Sequence, residues 1–454
     1  MFTARLIIHL NHLFSESMDD VWRHVFHYFT TLERIRYERV STGWMKLLRE
    51  YWKQLNEVDT NKLCTDVCLN HWSDCVRAVL VRCSPHLASF SFGHDCQKTC
   101  DRSTKKQLHS DVLVKLTQKA PSLRSFHVDN CFLSSDSMDL LQKLPSTLKV
   151  FRLECCIIDC SDPHFANSCF LSLLDNCSTL DEFVITGHDS CYGYLCIDDD
   201  FMEHIPSTVS ILCISAGEAL KIKNANFVSK LKKLRLFDAQ YSFLSLSTLQ
   251  DLVYNAPNLL YLDLSNSPFI TDFSPIGKLS ELKSLLLNGN CIYLKSVQLN
   301  AIIKGCISLE VLSLERCSKL SNEDLKIISK CATLKELHLS GTTTMTDDTL
   351  TCIAFGIPLL EVLDISYCKS LTSKGLKSLT MLQKLDHLCT NGIYDFDDNL
   401  VNLIRNCRPH CIIEAFHCRY SMSTSELFQM AFLKSMIEPE SVKSTYQISR
   451  YRYI

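Results

Sequence analysis

The chain has 454 residues, a formal net charge of -3 and a sequence pI near 6.6. That balance excludes a global attraction to nucleic acid or to an anionic membrane surface. The apolar run from Leu6 to Leu13 is broken by His9, Asn11 and His12 and leads into no small-residue cleavage site, so neither a signal peptide nor a membrane span is read there.

Residues 1–15 carry no clear pattern. From Met18 to about Trp52 the apolar residues follow helical spacing: Val21, Trp22, Val25, Phe26 and Phe29, then Leu32, Ile35, Val40, Trp44, Leu47 and Leu48. This predicts three short helices over residues 16–54, with Phe26 and Trp44 as the bulkiest shared residues and hence the packing anchors. A module this small buries too little surface to stand alone, so it is expected to lean on the first repeat or on a partner. The stretch from Trp52 to Val58 reads as a half-repeat joining the two parts.

The remainder is organised by a spacing that recurs most plainly from Cys306 to Asn391. The pattern L-x-x-L-x-L-x-x-C is carried by Leu309, Leu312, Leu314 and Cys317, and recurs from Leu334 with Thr342 in the last slot, from Leu360 with Ile365 and Cys368, and from Leu385 with Thr390 and Ile393, at steps of 25, 26 and 25 residues. Helix-start signals come after each strand-like reading, as in Ser321-Asn-Glu-Asp324 and Thr346-Asp-Asp348. Alternate strand residues turn to one side, so the Leu positions and the small Cys share a core that a single unit cannot close, and neighbours must stack. The same reading extends back through Leu282, Leu259, Leu231, Val209, Leu180, Leu148, Leu123 and Leu87 as first positions. It predicts an α/β solenoid of about twelve strand-helix units over residues 55–416. Loop insertions are expected near Asp95 to Ser110 and Ile157 to Ser168, with an irregular loop at Gly187 to Asp200. A last strand at Ile412 to Phe416 leads into a tail, residues 417–454, with a helix around Ser425 to Met436.

Twenty-five Cys would suggest a disulfide framework in a small secreted chain. Here Cys131, Cys156, Cys317 and Cys368 occupy the small core slot, and Cys83, Cys177, Cys306, Cys331 and Cys407 recur at helix ends. Such Cys are expected to behave as small buried hydrophobes in a reducing compartment, cytosol or nucleus. No cofactor or metal is expected: there is no phosphate-cradling Gly loop and no C-x-x-C pair, and the spacings Cys64/Cys68/His71 and His94/Cys96/Cys100 are poor for metal. Asp198-Asp199-Asp200 reads as an acidic helix start. No nucleophile motif is present, so catalysis by this chain is not expected.

The residues between the Leu positions should form two rows on the concave, strand-lined face. At the periphery they read polar, as in Ser89, His127 and Glu336. In the middle they read Val184, Ile211, Lys233, Arg235, Phe237, Tyr261 and Leu286, with Asp263 in the same rows. Apolar and aromatic residues beside Arg are the composition of a protein-binding hot spot.

The stretch from Met18 to Phe29, continued by Val40 and Trp44, resembles an F-box. The repeats resemble the cysteine-containing leucine-rich repeats of the F-box and leucine-rich-repeat family of ubiquitin-ligase receptors. The resemblance covers roughly residues 16–416. It departs from the family at Ser17-Met18, where an F-box usually opens with Leu-Pro. It implies a curved repeat array behind a three-helix F-box-like region and a non-catalytic substrate receptor of an SCF-type ligase. The adaptor, and through it a cullin, would be bound by Val21, Val25, Phe26, Tyr28, Phe29, Leu32, Ile35, Val40 and Trp44, and a protein substrate by the middle repeats, with no nucleic-acid or membrane partner. The alternative is an interaction scaffold outside any ligase, its helices only capping the array.

Overall fold

The computed structural model describes residues 19–63, 72–93, 106–159, 162–187, 197–215, 222, 226–290, 294–317 and 319–419. It divides the chain into two units, Met1–Leu195 and Cys196–Ile454. The Cys64 and Cys96 groups, Ser17-Met18, most of the Gly187 to Asp200 loop and the expected tail helix lie outside the described residues.

In the first unit, helices α1 (Asp19–His27), α2 (Thr31–Tyr37) and α3 (Thr42–Gln54) form where the apolar spacing predicts them. Thr30 and Glu33 make a reciprocal capping box at the start of α2, and the Ser41 hydroxyl accepts from the Trp44 amide at the start of α3. The three helices close over Phe26, Trp44, Leu47 and Leu48, with Trp22, Phe29, Tyr37 and Val40 packed against that core. The Phe26 and Trp44 rings meet edge to face, 5.2 Å between centroids. Arg34 is buried and donates to the Phe26 and His27 carbonyls at 2.8 and 2.9 Å, so a cation satisfies the open carbonyl end of α1.

The module leans on the first repeat as its size requires. Helix α4 (Trp72–Cys83) supplies Arg82, which grips Glu38 from the end of α2. Parallel strands β1 (Glu57–Asp59), β2 (Ser89–Phe92), β4 (Ser125–Asp129), β6 (Val150–Glu154) and β8 (Glu182–Thr186) form one sheet, in that order. A smaller parallel sheet holds β3 (Lys106–Gln107), β5 (Cys131–Ser134) and β7 (Ile157–Asp159). The expected insertion at Ile157 to Ser168 is therefore corrected: it contains β7 and the start of a helix over Pro163–Asn176. The central Leu slot is filled here by Phe90, Phe126, Phe151 and Phe183, whose rings stack in series at 6.0, 5.8 and 5.7 Å. Repeat spacing from Leu87, Leu123, Leu148 and Leu180 already puts these four Phe in the central slot; the fold adds that their rings stack.

The second unit is a run of parallel strands: β9 (Ile211–Ser215), β10 (Leu236–Asp238), β11 (Tyr261–Asp263), β12 (Ser284–Leu286), β13 (Val311–Ser313), β14 (Glu336–His338), β15 (Val362–Asp364), β16 (His387–Cys389) and β17 (Ile412–Glu414). Their register aligns Leu212, Phe237, Leu262, Leu285, Leu312, Leu337, Leu363, Leu388 and Ile413 in one buried row. The repeat read as Leu231, Leu234 and Leu236 is thus three residues out of phase. Its true slots are Leu234, Phe237 and Ala239, because Phe237 lies opposite both Leu212 and Leu262.

Just before the small slot the chain turns through positive φ in repeat after repeat, at Tyr241, Asn266, Gly289, Arg316, Gly341, Tyr367 and Gly392. The small residue next in line bonds back to the preceding repeat: Cys317 to the Leu287 carbonyl at 3.6 Å, Cys368 to Leu339 at 3.3 Å, Thr342 to Leu314 at 3.5 Å. Burial pushes the Cys368 thiol up to about 12, so it acts as a packed donor and not as a nucleophile. Cys407 departs from the helix-end expectation by being exposed; the adjacent Arg408 takes the inward place and donates to the Leu379 and Leu382 carbonyls at 2.9 and 2.7 Å. Ser321 and Asp324 form the predicted reciprocal cap, and Asp198 accepts from the Phe201 amide at a helix start.

Candidate partner-binding surfaces

The N-terminal module sorts its apolar residues into two sets. Phe26 and Trp44 are fully consumed by the core and cannot face a partner, which corrects their place among the contact residues. Phe29 and Val40 pack against that core from outside. Val21 and Tyr28 are exposed, Tyr28 at 78%, while Val25, Leu32 and Ile35 are half-buried. Helical periodicity marks all of these as apolar; only the closure of three helices on one another decides which remain outside.

On the repeats, most of the expected hot spot is not a surface. Val184, Ile211, Phe237, Tyr261, Asp263 and Leu286 are buried, and Lys233 and Arg235 alone of that set are exposed. Two causes are visible. The phase error placed Phe237 on the strand face although it fills the central core slot. The others do alternate away from the central Leu row, yet they are buried too. Asp263 accepts from the Ser265 amide at 2.9 Å and from the Tyr261 hydroxyl, and burial pushes its carboxyl up to about 7. It is therefore held by its own repeat and not by Arg235.

Arg235 belongs to a different row, one residue ahead of the strands, which continues through Lys283, Glu310, Lys335 and Glu361. There Glu310 faces two cations, Lys283 at 3.5 Å and Lys335 at 2.6 Å. Glu310 itself is largely shielded, but both lysines are over a third exposed, so solvent screens the pairs and limits their contribution.

Of the exposed aromatic residues that sequence reading missed, Tyr254 and Phe355 lie on helices and several others lie at the turns just after the strands. Phe243 and Phe269 stack face to face with centroids 5.2 Å apart while each remains about half exposed, 42% and 52%. Tyr241, Tyr367 and Tyr394 are also exposed, all at the positive-φ turn or just beyond the small slot. The available signal was an aromatic residue next to or just past the small slot, repeated from unit to unit. A solvent-facing stacked pair is an exposed apolar feature of the repeat surface.

A family model described as Leucine Rich repeat matches residues 357–379, which include β15 and the helical segment after it. F-box/LRR-repeat protein 4 of Bos taurus is 31% identical over 176 residues, 36% of this chain and 28% of that protein, so the chain spans under a third of the relative's length. Among solved structures, that of the Rad7 and Elc1 complex in yeast has a TM-score of 0.44 at 17% identity, covering 84% of this chain and 92% of the other. An internalin (inlF) from Listeria monocytogenes has a TM-score of 0.45 at 13% identity, covering 83% and 89%.

Stacked parallel strands in a common register, each leading into a turn and a helical segment, define a leucine-rich-repeat protein. Over 176 residues the chain is similar to an F-box/LRR-repeat protein.

Proposed function

We propose that this protein is the substrate-recognition subunit of an SCF-type ubiquitin ligase. The F-box-like helices would bind the ligase adaptor and, through it, a cullin; the repeats would hold the protein to be modified. The observation that carries the reading is the conjunction of the F-box/LRR-repeat similarity with a closed helical core that leaves Val21 and Tyr28 exposed. No group in the chain needs to react. Holding a target near a charged conjugating enzyme raises the effective concentration of the reacting groups, and that alone accelerates transfer.

A second reading has its own support. Because Glu38 ties the helices to α4, the module also serves as an N-terminal cap on the first repeat, the role it would have in a scaffold outside any ligase. The two readings part in a co-purification from cells. A ligase receptor brings down adaptor and cullin with the full chain, and the double change Val21→Ala with Tyr28→Ala removes both while leaving the chain folded. If no adaptor accompanies the unaltered chain, the capping scaffold is the correct description.

A further inference from the structure

Among the described residues, the last two strands of the repeat array bring together three side chains that sequence spacing could not associate. His387 and Cys389 are two apart on β16 and so point to the same face. The parallel register sets Glu414 of β17 directly beside Cys389. The His387 Nε2 atom lies 3.3 Å from Glu414 Oε1 and 3.5 Å from Cys389 Sγ, and the three ligand atoms all lie within 4.8 Å of one another. All three residues are half-buried, reachable from solvent yet held by strand backbone.

Those separations have a specific chemical meaning. A tetrahedral zinc ion with bonds of about 2.05 Å to nitrogen and oxygen and about 2.3 Å to sulfur requires N to O distances of about 3.3 Å and N to S distances of about 3.6 Å. The observed pairs match both edges. In the absence of an ion the same contacts are a long imidazole–carboxylate hydrogen bond at 3.3 Å and a thiol–imidazole hydrogen bond at 3.5 Å, so the three side chains are already held together. The donor set of one thiolate, one imidazole and one carboxylate suits a borderline cation of the zinc class and not magnesium or calcium, which take oxygen.

We infer that His387, Cys389 and Glu414 bind one zinc-class divalent cation, with a fourth position open to water or to a group from a partner. On binding, the Cys389 thiol gives its proton to solvent and the imidazole binds as the neutral base. The ion would clip β17 to β16. A second group, Glu315, His338 and Asp364, has no thiol and lies outside the proposal.

The test uses the full chain, reduced, stripped with a chelator and titrated with Co2+ and then Zn2+. The expected result is one equivalent of cobalt that shows a thiolate charge-transfer band and the intense visible bands of tetrahedral geometry, displaced by zinc. Cys389→Ser removes the charge-transfer band. His387→Ala weakens zinc binding by about a hundredfold or more, since loss of even an outer partner costs 10–100-fold. Zinc raises the melting temperature of the unaltered chain and leaves that of Cys389→Ser unchanged. The inference is overturned if no stoichiometric cobalt binds, if the band persists in Cys389→Ser because another of the many cysteines carries it, or if binding occurs without any thiolate band, as at the second group. Apo melting curves of both variants that match the parent establish that a loss of binding is not a loss of fold.

Discussion

The Glu38 carboxylate is the joint between the helical module and the first repeat: Arg82 holds it with two nitrogens at 2.7 to 3.0 Å, and the Trp52 indole donates to it at 2.6 Å. Both charged side chains are largely shielded, 14% and 25% exposed, so the pair escapes most of the screening that empties surface ion pairs of energy. Glu38→Ala strands a guanidinium and an indole N–H together. We expect it to destabilise the module by about 1.5–3 kcal/mol, the cost of losing hydrogen bonds to a charged group. Hydrogen exchange over residues 19–54 should rise while exchange in the second unit stays as it was.

Trp44→Ala removes the largest side chain of the helical core, where it touches Phe26 and Tyr37 rings at 5.2 and 5.6 Å. A loss of about 3–5 kcal/mol of local stability is expected from large-to-small precedent. Unchanged resistance of residues 19–54 to limited proteolysis would contradict this.

If the exposed face of α1 contacts an adaptor, Tyr28→Ala should weaken capture several-fold without lowering the melting temperature, because Tyr28 is not among the residues of the helical core. Ser17→Leu with Met18→Pro, which writes in the Leu-Pro opening of the related boxes, should tighten it. Equal adaptor affinity in all three proteins is the outcome that removes this face from consideration.

The stacked pair Phe243 and Phe269 is the first place to look for target contact. Changing both to Ala should abolish partner capture by the repeats with under about 1 kcal/mol of stability lost, as expected where side chains are solvent-exposed. Tyr261→Ala, by contrast, cuts a fully buried ring and should lower stability by about 3–5 kcal/mol whatever it does to binding. Equal binding with Phe243 and Phe269 both replaced would move the site away from these turns; Arg235→Ala then tests the neighbouring charged row.

Asp263 makes stability depend on pH in a direction opposite to most carboxylates. Its folded-state value is raised by burial from 3.8 to about 7, so the folded chain holds this proton more tightly than the unfolded chain does. The favourable contribution is complete below the unfolded value and is lost as pH rises toward 7. Asp263→Asn should therefore flatten the fall in melting temperature between about pH 4 and pH 7. A profile identical to the parent's would show that another group carries the dependence.

Sequence alone was enough for the architecture because a repeat is a statement about what one unit must share with the next. Leu312, Leu337 and Leu363 recur at near-constant steps, and no fold but a stack buries them all. It was also enough for the helical module, whose apolar spacing has no other use. Phase failed where composition lost contrast: around Leu231 to Phe237 nearly every third residue is apolar, so two registers fit, and only pairing with Leu212 and Leu262 selects one. Surface was decided by tertiary structure throughout. The same spacing that names Phe26 and Tyr28 as apolar cannot say that one is buried and the other bare, since that depends on where α3 lies. Likewise, nothing in the linear order relates Cys389 to Glu414, residues 25 positions apart that parallel pairing makes neighbours. Periodicity records what each repeat presents to its own core, whereas contacts across strands depend on register, which backbone hydrogen bonds set only once the stack has formed.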